Sequence, residues 1–379
     1  MIYDVVVIGA STAGLYAAEI LALNDKKVAL FDRNIQNNPD IRTYIITPGL
    51  ERIVPNFDPI LVRHETGVIN IQVGEEERSI HLSAPDLIIE RSQLIESFLS
   101  RAKKAGVEIY RESEFIGFGG GNKDGSIRIK IGEDEKTVQT RYLIGADGVN
   151  SRVRDLAGMK SVPQVPLLQA DIELPEKWDP DVTKVWFDVN DSPYFYWLIP
   201  DKEKKAVVGL ISERGVNIQM LLDNFLNENS FIPLSYQSGQ AGMFSPRTRN
   251  EISLDGLHIL LVGDAAGQVK VTTVGGSVTG FAGAQAAANA ILENKAYRTT
   301  LRRTFREMSI HYFIRSLLDQ MSNQDYLFLL RGLSPGVKSF LNRYDRDQMR
   351  RNFWKLIFIQ PKYIFLGLKL FFRLLLPRR

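Results

Sequence analysis

The sequence predicts an α/β fold: a parallel sheet with helices on it, an inserted antiparallel sheet and a C-terminal helical region. Three observations predict it. At the N-terminus a run of β-branched residues passes through a glycine turn into a helix-forming segment. Two later stretches, at 141–148 and 256–264, are apolar strands that end in Gly and Asp. Between these stretches apolar and polar residues alternate, the period of a strand with one face covered.

Tyr3-Asp4-Val5-Val6-Val7-Ile8 has the pattern of a buried parallel strand. Gly9-x-Ser11-x-x-Gly14 follows, and Leu15 to Leu21 continues as a helix. Strand, tight turn and helix hold a dinucleotide pyrophosphate, because the free N–H groups and the dipole at the helix N-terminus face the phosphates. Gly9 makes the turn and Gly14 lets helix and strand pack closely. Ser11 stands where the usual pattern has its middle glycine, and Thr12 and Ala13 complete the turn. The second strand, Lys27 to Phe31, ends in Asp32, at the distance from the glycines that suits a hydrogen bond to a ribose hydroxyl. Arg33 and Arg42 are read as further cofactor contacts, just before and within an irregular segment (34–50) expected on the surface or beside the cofactor.

Composition narrows the classes. A chain of 379 residues has room for two or three domains or subdomains. The net charge of +3 gives no case for nucleic acid as a partner. With no Cys, disulfides, thiolate metal sites and Cys nucleophiles are excluded. The four His residues, His64, His81, His258 and His311, are scattered singly, so they are read as structural and no metal is predicted. The first strand begins at Met1 without a leader-like run, so the expected location is cytoplasmic. No stretch approaches the roughly 20 uncharged apolar residues of a membrane span.

Further along, Ile53 to Leu82 alternates in several places and predicts antiparallel strands that begin a substrate lobe. A helix opens at Glu90 to Leu99, with Ser92 as N-cap and Leu94, Ile95, Phe98 and Leu99 as its apolar face; Lys103, Lys104 and Gly106 end it. Val107 to Tyr110 reads as the next parallel strand, and Glu114 to Val138 as a hairpin or meander turning at 119–122. Gln164 to Gly242 predicts a second antiparallel sheet. Within it, alternation puts Phe195, Trp197 and Ile199 on one face, as sheet core or as the wall of an apolar substrate pocket. The expected division is a discontinuous Rossmann-type domain (1–50, 85–160, 250–295), a substrate-binding sheet domain (51–84, 161–249) and a helical region (296–379).

At Leu143-Ile144-Gly145-Ala146-Asp147-Gly148 the chain resembles the flavoprotein superfamily of aromatic-ring hydroxylases and their relatives. The resemblance implies that Asp147 lies beside the cofactor and that Arg91 lies near the flavin and its pyrophosphate. A third stretch, Leu260-Leu261-Val262-Gly263-Asp264, implies an aspartate that accepts a hydrogen bond from the ribityl chain. Gly275, Gly276 and Ser277 then lead into a small-residue helix, whose first amides can face the N1–C2=O edge of a flavin. Three ordered fingerprints make FAD the expected cofactor, within an FAD-binding domain.

Within the superfamily the chain resembles the geranylgeranyl reductase family over about residues 1–295. Gly263-Asp264-Ala265-Ala266-Gly267-Gln268-Val269-Lys270 has Gly267 where ring hydroxylases usually have His. Thr272-Thr273-Val274-Gly275-Gly276 resembles the family's Thr-Gly-Gly-Gly run, and Phe195-x-Trp197-x-Ile199-Pro200 its Tyr-x-Trp-x-Phe-Pro. Three positions depart from the pattern. Val271 stands where Pro is frequent, Asp32 where Glu is usual, and no Cys exists where some members carry one near the flavin. Tyr44 occupies that approximate place and is the expected proton donor. The resemblance implies hydride transfer from reduced flavin N5 to an isolated C=C bond of a polyprenyl lipid or quinone. A single dinucleotide fingerprint implies that NAD(P)H or a reduced carrier acts transiently. Two alternatives stay open: a flavin monooxygenase or halogenase acting on an apolar substrate, and a flavin-bound electron-transfer protein at a membrane. Glu75-Glu76-Glu77-Arg78 lacks the lysine that halogenases need there.

The tail, 353–379, combines Leu, Ile, Phe, Tyr and Trp with Lys355, Lys362 and Lys369 on one helical face. That pattern fits a helix lying in a membrane interface, or one docked on the protein or on a second subunit. Peripheral membrane contact is the expectation carried forward.

Overall fold

The computed structural model describes residues 1–34, 43–119, 125–202, 204–344 and 346–375. The chain opens with β1 (Ile2–Ile8), α1 (Thr12–Ala22), β2 (Val28–Phe31), β3 (Thr43–Ile46), β4 (Val62–Val73), β5 (Glu76–Glu90) and α2 (Arg91–Lys104). It continues through β6 (Glu108–Tyr110), β7 (Ser113–Phe118), β8 (Ser126–Ile131), β9 (Asp134–Gly145), α3 (Arg152–Leu156), β10 (Gln164–Glu173), β11 (Val182–Trp186), β12 (Tyr196–Pro200) and β13 (Lys205–Ile211). Then come α4 (Ile218–Glu228), β14 (Pro233–Gly242), β15 (Glu251–Leu254), β16 (Leu257–Leu261) and α5 (Ser277–Leu292). The C-terminal part is helical: α6 (Tyr297–Thr300), α7 (Arg302–Leu318), α8 (Asn323–Arg331), α9 (Pro335–Arg343), α10 (Met349–Ile359) and α11 (Lys362–Leu375).

The first sheet runs β15-β16-β9-β1-β2-β6, with β7 and β8 continuing from β9 as an antiparallel meander. The strands β16, β9, β1, β2 and β6 are parallel, so their carboxyl ends point the same way. Both faces are covered, which is why β1 reads as a continuous apolar run. On one face Val5 and Val7 pack with Leu15 of α1, Phe98 of α2 and Phe281 of α5. On the other, Val6 and Ile8 pack with Phe31, Leu143 and the meander residues Phe115 and Ile129. The N-cap of α2 is Glu90, not Ser92: the Glu90 carboxylate accepts from the Ser92 amide at 3.1 Å and from its hydroxyl. A carboxylate holds an N-terminus more strongly than a hydroxyl because the helix dipole favours negative charge there.

The second sheet runs β14-β10-β13-β12-β11-β4-β5-β3. One feature departs from the purely antiparallel sheet that the sequence predicts. The two inserted segments form one sheet, joined by a parallel pair, β4 with β11. The junction buries Thr66 and Thr183, whose hydroxyls bond at 3.1 Å. Residues 43–46 and 85–90, read with the nucleotide layer, also pair with each other here as β3 and the end of β5. Each insertion has one apolar face too narrow to close a core alone, and joining them gives one wide cover. β12 shows the alternation: Tyr196 and Leu198 pack toward α4, Trp197 and Ile199 to the opposite face.

The tail is two helices, because Pro361 cannot continue α10. Lys355, Lys362 and Lys369 therefore do not share one free stripe, as the spacing predicts. Lys369 and Arg373 pair with Asp325 of α8 at 2.5 and 2.7 Å, and Lys355 lies 4.7 Å from the Tyr344 ring centre. Leu366 and Leu370 are buried with Tyr326 and Leu330. The opposite face stays open: Trp354, Phe358, Phe365 and Phe372 are 60, 83, 74 and 63 % exposed. No helix among the described residues is long and apolar enough to cross a membrane.

Candidate active site

The site forms where the carboxyl ends of β1, β2, β9 and β16 meet the second sheet. At the end of β1, Gly9 has φ +102°, and a Cβ on it would come 2.5 Å from the Ala146 carbonyl oxygen. A Cβ on Gly14 would come 2.4 Å from the Gly9 oxygen. Both positions require glycine, which keeps the turn flat against β9. Ser11 turns its side chain back into the helix, where its Oγ accepts from the Gly14 amide at 3.2 Å. The serine in the middle-glycine position is thus the N-cap of α1. Thr12 and Ala13 open that helix and border the cavity described below.

Asp32 accepts from the Ala10 amide at 2.6 Å and the Asn34 amide at 2.8 Å. Two amides fix the carboxylate while leaving it lone pairs for a further donor. Asp32 and Arg33 border a cleft of about 280 Å³ with Gly9, Ser11, Arg91 and Asp147. Arg42 lies outside the described residues. Asp147 is held by its own loop: its carboxylate accepts from the Ser151 hydroxyl at 2.6 Å and the Val153 amide at 3.0 Å. Burial pushes its pKa up, with those bonds opposing. Arg91, the first residue of α2, reaches the cleft and the larger cavity, and its Nη1 is buried with no protein acceptor. A buried guanidinium nitrogen needs an acceptor, and a diphosphate beside it would provide one. The residues therefore fit FAD on two grounds, the glycine-lined turn and this unmatched donor.

The third fingerprint lies alongside. Gly263 has φ +63°, and Asp264 faces the larger cavity. Gly267, in place of a histidine, is left-handed at φ +63°, and a Cβ there would come 2.8 Å from the Met243 oxygen. The loop from Lys270 to Gly275 is closed by a bond from the Lys270 amide to the Gly275 carbonyl at 3.1 Å. Within it Val274 has φ 52°, a costly conformation for a β-branched residue. Gly276 caps α5 and Ser277 begins it, so the first amides of α5 border the cavity.

That cavity measures about 670 Å³. Phe195, Trp197 and Ile199 of the second sheet form one wall, and Asp264, Gly275 and Gly276 lie at its floor. Tyr44 on β3 also lines it. Sequence reasoning missed the remaining wall, from the C-terminal helices: Phe340, Leu341, Tyr344 and Met349. It also missed what holds that wall. Arg346 donates from its Nη2 to both oxygens of Asp86 at 2.7 Å, and Asp347 takes hydrogen bonds from buried Lys270 and from Thr47. Lys270 was visible as a charge at the end of an apolar fingerprint; its partner, 77 residues on, carries no local pattern.

Fold and site define an α/β protein that binds FAD. Residues 2–219 match the FAD binding domain family, and the chain belongs to that family. Its relatives include a digeranylgeranylglycerophospholipid reductase from Methanocaldococcus jannaschii, 26 % identical, with 90 % of this chain and 94 % of the relative covered. A geranylgeranyl diphosphate reductase from Rhodobacter capsulatus is 29 % identical over 77 % of this chain and 75 % of its own. Among solved structures, a geranylgeranyl bacteriochlorophyll reductase-like protein from Thermoplasma acidophilum has the same fold, with a TM-score of 0.80 at 20 % identity, covering 94 and 98 % of the two chains.

Proposed function

We propose that this chain is an FAD-dependent reductase that saturates isolated C=C bonds in the polyprenyl chain of a lipid or quinone. The observation that carries the reading is the apolar cavity of about 670 Å³, walled by Phe195, Trp197 and Ile199 and floored by Asp264, Gly275 and Gly276. Relatives named for geranylgeranyl reduction support it. FAD, when bound, supplies the hydride. Gly9, Ser11, Thr12, Ala13 and Gly14 would cradle its diphosphate with Arg91, Asp32 and Arg33 would hold its adenosine end, Asp147 would shape the loop beside it, and Asp264 with Gly275, Gly276 and Ser277 would hold its ring end. An isolated alkene is unpolarised, so a proton must arrive with or before the hydride, in a dry pocket. The aromatic wall excludes water, and the Tyr44 hydroxyl is the donor we assign. NAD(P)H or a reduced carrier recharges the flavin from outside.

The substrate class also gives the exposed tail face a role. A cytoplasmic protein that takes its substrate from a bilayer would lie on it, with Trp354, Phe358, Phe365 and Phe372 among the acyl chains and nearby Arg350, Arg351 and Lys362 at the headgroups. The test is anaerobic: reduced holoprotein is mixed with a geranylgeranyl lipid and the flavin spectrum is followed. Return of oxidised flavin supports the reductase; reoxidation only when air is admitted favours an oxygen-using enzyme. Tyr44→Phe should slow reoxidation by about a hundredfold or more, the range for a lost general acid; unchanged turnover would remove Tyr44 from the mechanism.

A further inference from the structure

We propose that Glu307, His311 and Thr272 form a proton path from solvent to the cavity, ending at the Thr272 hydroxyl. Its use in catalysis rests on the reductase reading. His311 of α7 is 2 % exposed, and its Nδ1 lies 2.6 Å from Thr272 Oγ1. Thr272 lines the cavity, in the loop that carries the strained Val274. The other ring nitrogen, Nε2, is buried without a hydrogen-bond partner and points toward Glu307 Oε1 at 3.8 Å. A small rotation of the Glu307 side chain brings that gap within hydrogen-bond reach. The Glu307 side chain is 16 % exposed, and its carboxylate is fixed by the Arg350 amide at 3.1 and 3.2 Å. A ring with one nitrogen on a cavity hydroxyl and the other turned toward a partly exposed carboxylate links the cavity wall to the protein's outer side.

The surroundings suit conduction rather than charge storage. Burial pushes the His311 pKa down to about 4; Lys270 adds to the effect, while Asp347 and the Arg346 backbone oppose it. Those groups, with Glu307 and Thr272, are the polar neighbours the ring meets. The imidazole stays neutral and passes a proton by accepting at one nitrogen as it donates from the other. Burial raises the Glu307 pKa, against the Arg350 and Met349 amides, so this carboxylate binds a proton more readily than a free one. The step balances. One alkene carbon takes the hydride, with both electrons, from the reductase chemistry proposed above. The other takes a proton from Tyr44, the donor assigned above, and the proton lost to the cavity is replaced in turn from Thr272, His311, Glu307 and water, with Tyr44 and Thr272 lining the same cavity.

Two measurements test the path in the full-length holoprotein. In NMR of ¹⁵N-histidine-labelled protein, T272V should move the His311 Nδ1 resonance and E307Q its Nε2 resonance. Silence of both nitrogens would overturn the path whether or not the protein reduces alkenes. In single-turnover reduction of a prenyl lipid, T272V should slow the step by at least about tenfold and change its solvent deuterium isotope effect, with T272S restoring both. If wild type reduces the lipid and T272V matches it in rate and isotope effect, the path is wrong. If wild type reduces no lipid, the reductase reading fails instead, and NMR alone decides the path.

Discussion

Arg154 donates from its Nε to the carbonyl oxygen of Ala265 at 2.8 Å. This contact joins the second fingerprint to the third. The side chain is 2 % exposed and also bonds the carbonyls of Lys160 and Arg249 and the Asn250 side chain, at 2.8, 3.0 and 2.9 Å. One planar fork thus ties together three separate segments, at 160, 249–250 and 265.

Arg154→Ala strips the buried Ala265 carbonyl and two partly buried carbonyls of their donors, the buried one costing about 1–3 kcal/mol and the others less. We expect a stability loss on the order of 3–5 kcal/mol and weakened flavin retention, read by denaturant unfolding and by the flavin content of purified protein. Arg154→Lys should recover only part, because an ammonium lacks the fork.

Arg91 should act on the cofactor and leave the fold intact. Its buried Nη1 has no acceptor in the protein. Charge-assisted bonds contribute about 1.5–3 kcal/mol, so Arg91→Ala should weaken FAD binding by roughly ten- to a hundredfold in a fluorescence titration, with little change in the unfolding midpoint of the flavin-free protein. Equal affinity would place the diphosphate elsewhere.

His311 gives stability a pH dependence of known sign. Its pKa is pushed down to about 4 in the fold, against about 6.5 unfolded. As pH falls through that window the unfolded chain takes up a proton that the folded chain refuses, so stability drops, by on the order of 3 kcal/mol in total. Urea unfolding between pH 7 and 4 should show this drop in wild type and a flatter profile in His311→Asn. Parallel profiles would contradict the burial argument.

The tail makes two separable predictions. Burial opposes ionisation of Asp325, yet bonds from Lys369, Ser322 and Arg373 outweigh it and hold the pKa well below the usual carboxylate range. The support that Asp325 gives the docked α11 is therefore present at neutral pH and lost only in strong acid. Asp325→Ala should loosen α11 and speed tryptic cleavage at Lys369 and Arg373. The pair Phe358→Glu and Phe365→Glu, on the exposed face, should abolish sedimentation with anionic vesicles while leaving cleavage unchanged. Vesicle binding that survives the pair would remove the membrane role.

What was legible in the sequence was what short spacing encodes. Gly9, Gly14 and Asp32 are set by one strand, one turn and the next strand, and the period of two along Phe195, Trp197 and Ile199 gives the face that lines the cavity. Ser11 was read as a glycine position, whereas it caps a helix, since a hydroxyl there has an amide within reach. Contacts across long separations left no trace. The Lys270–Asp347 pair, the Thr272–His311 bond and the helical wall depend on where α7, α9 and α10 come to rest. The lysine repeat of the tail misled because Pro361 divides one apparent face between two helices.

The reaction we propose for this chain is the addition of hydrogen to prenyl double bonds. The most direct measurement is mass spectrometry of a geranylgeranyl lipid after anaerobic turnover by the reduced holoprotein in D₂O. Each reacted bond should be saturated, with one deuterium from solvent and one hydrogen isotope from the flavin, and oxidised flavin should form in matching amount. Recovery of unchanged lipid, or a product that gains oxygen once air is admitted, would contradict it.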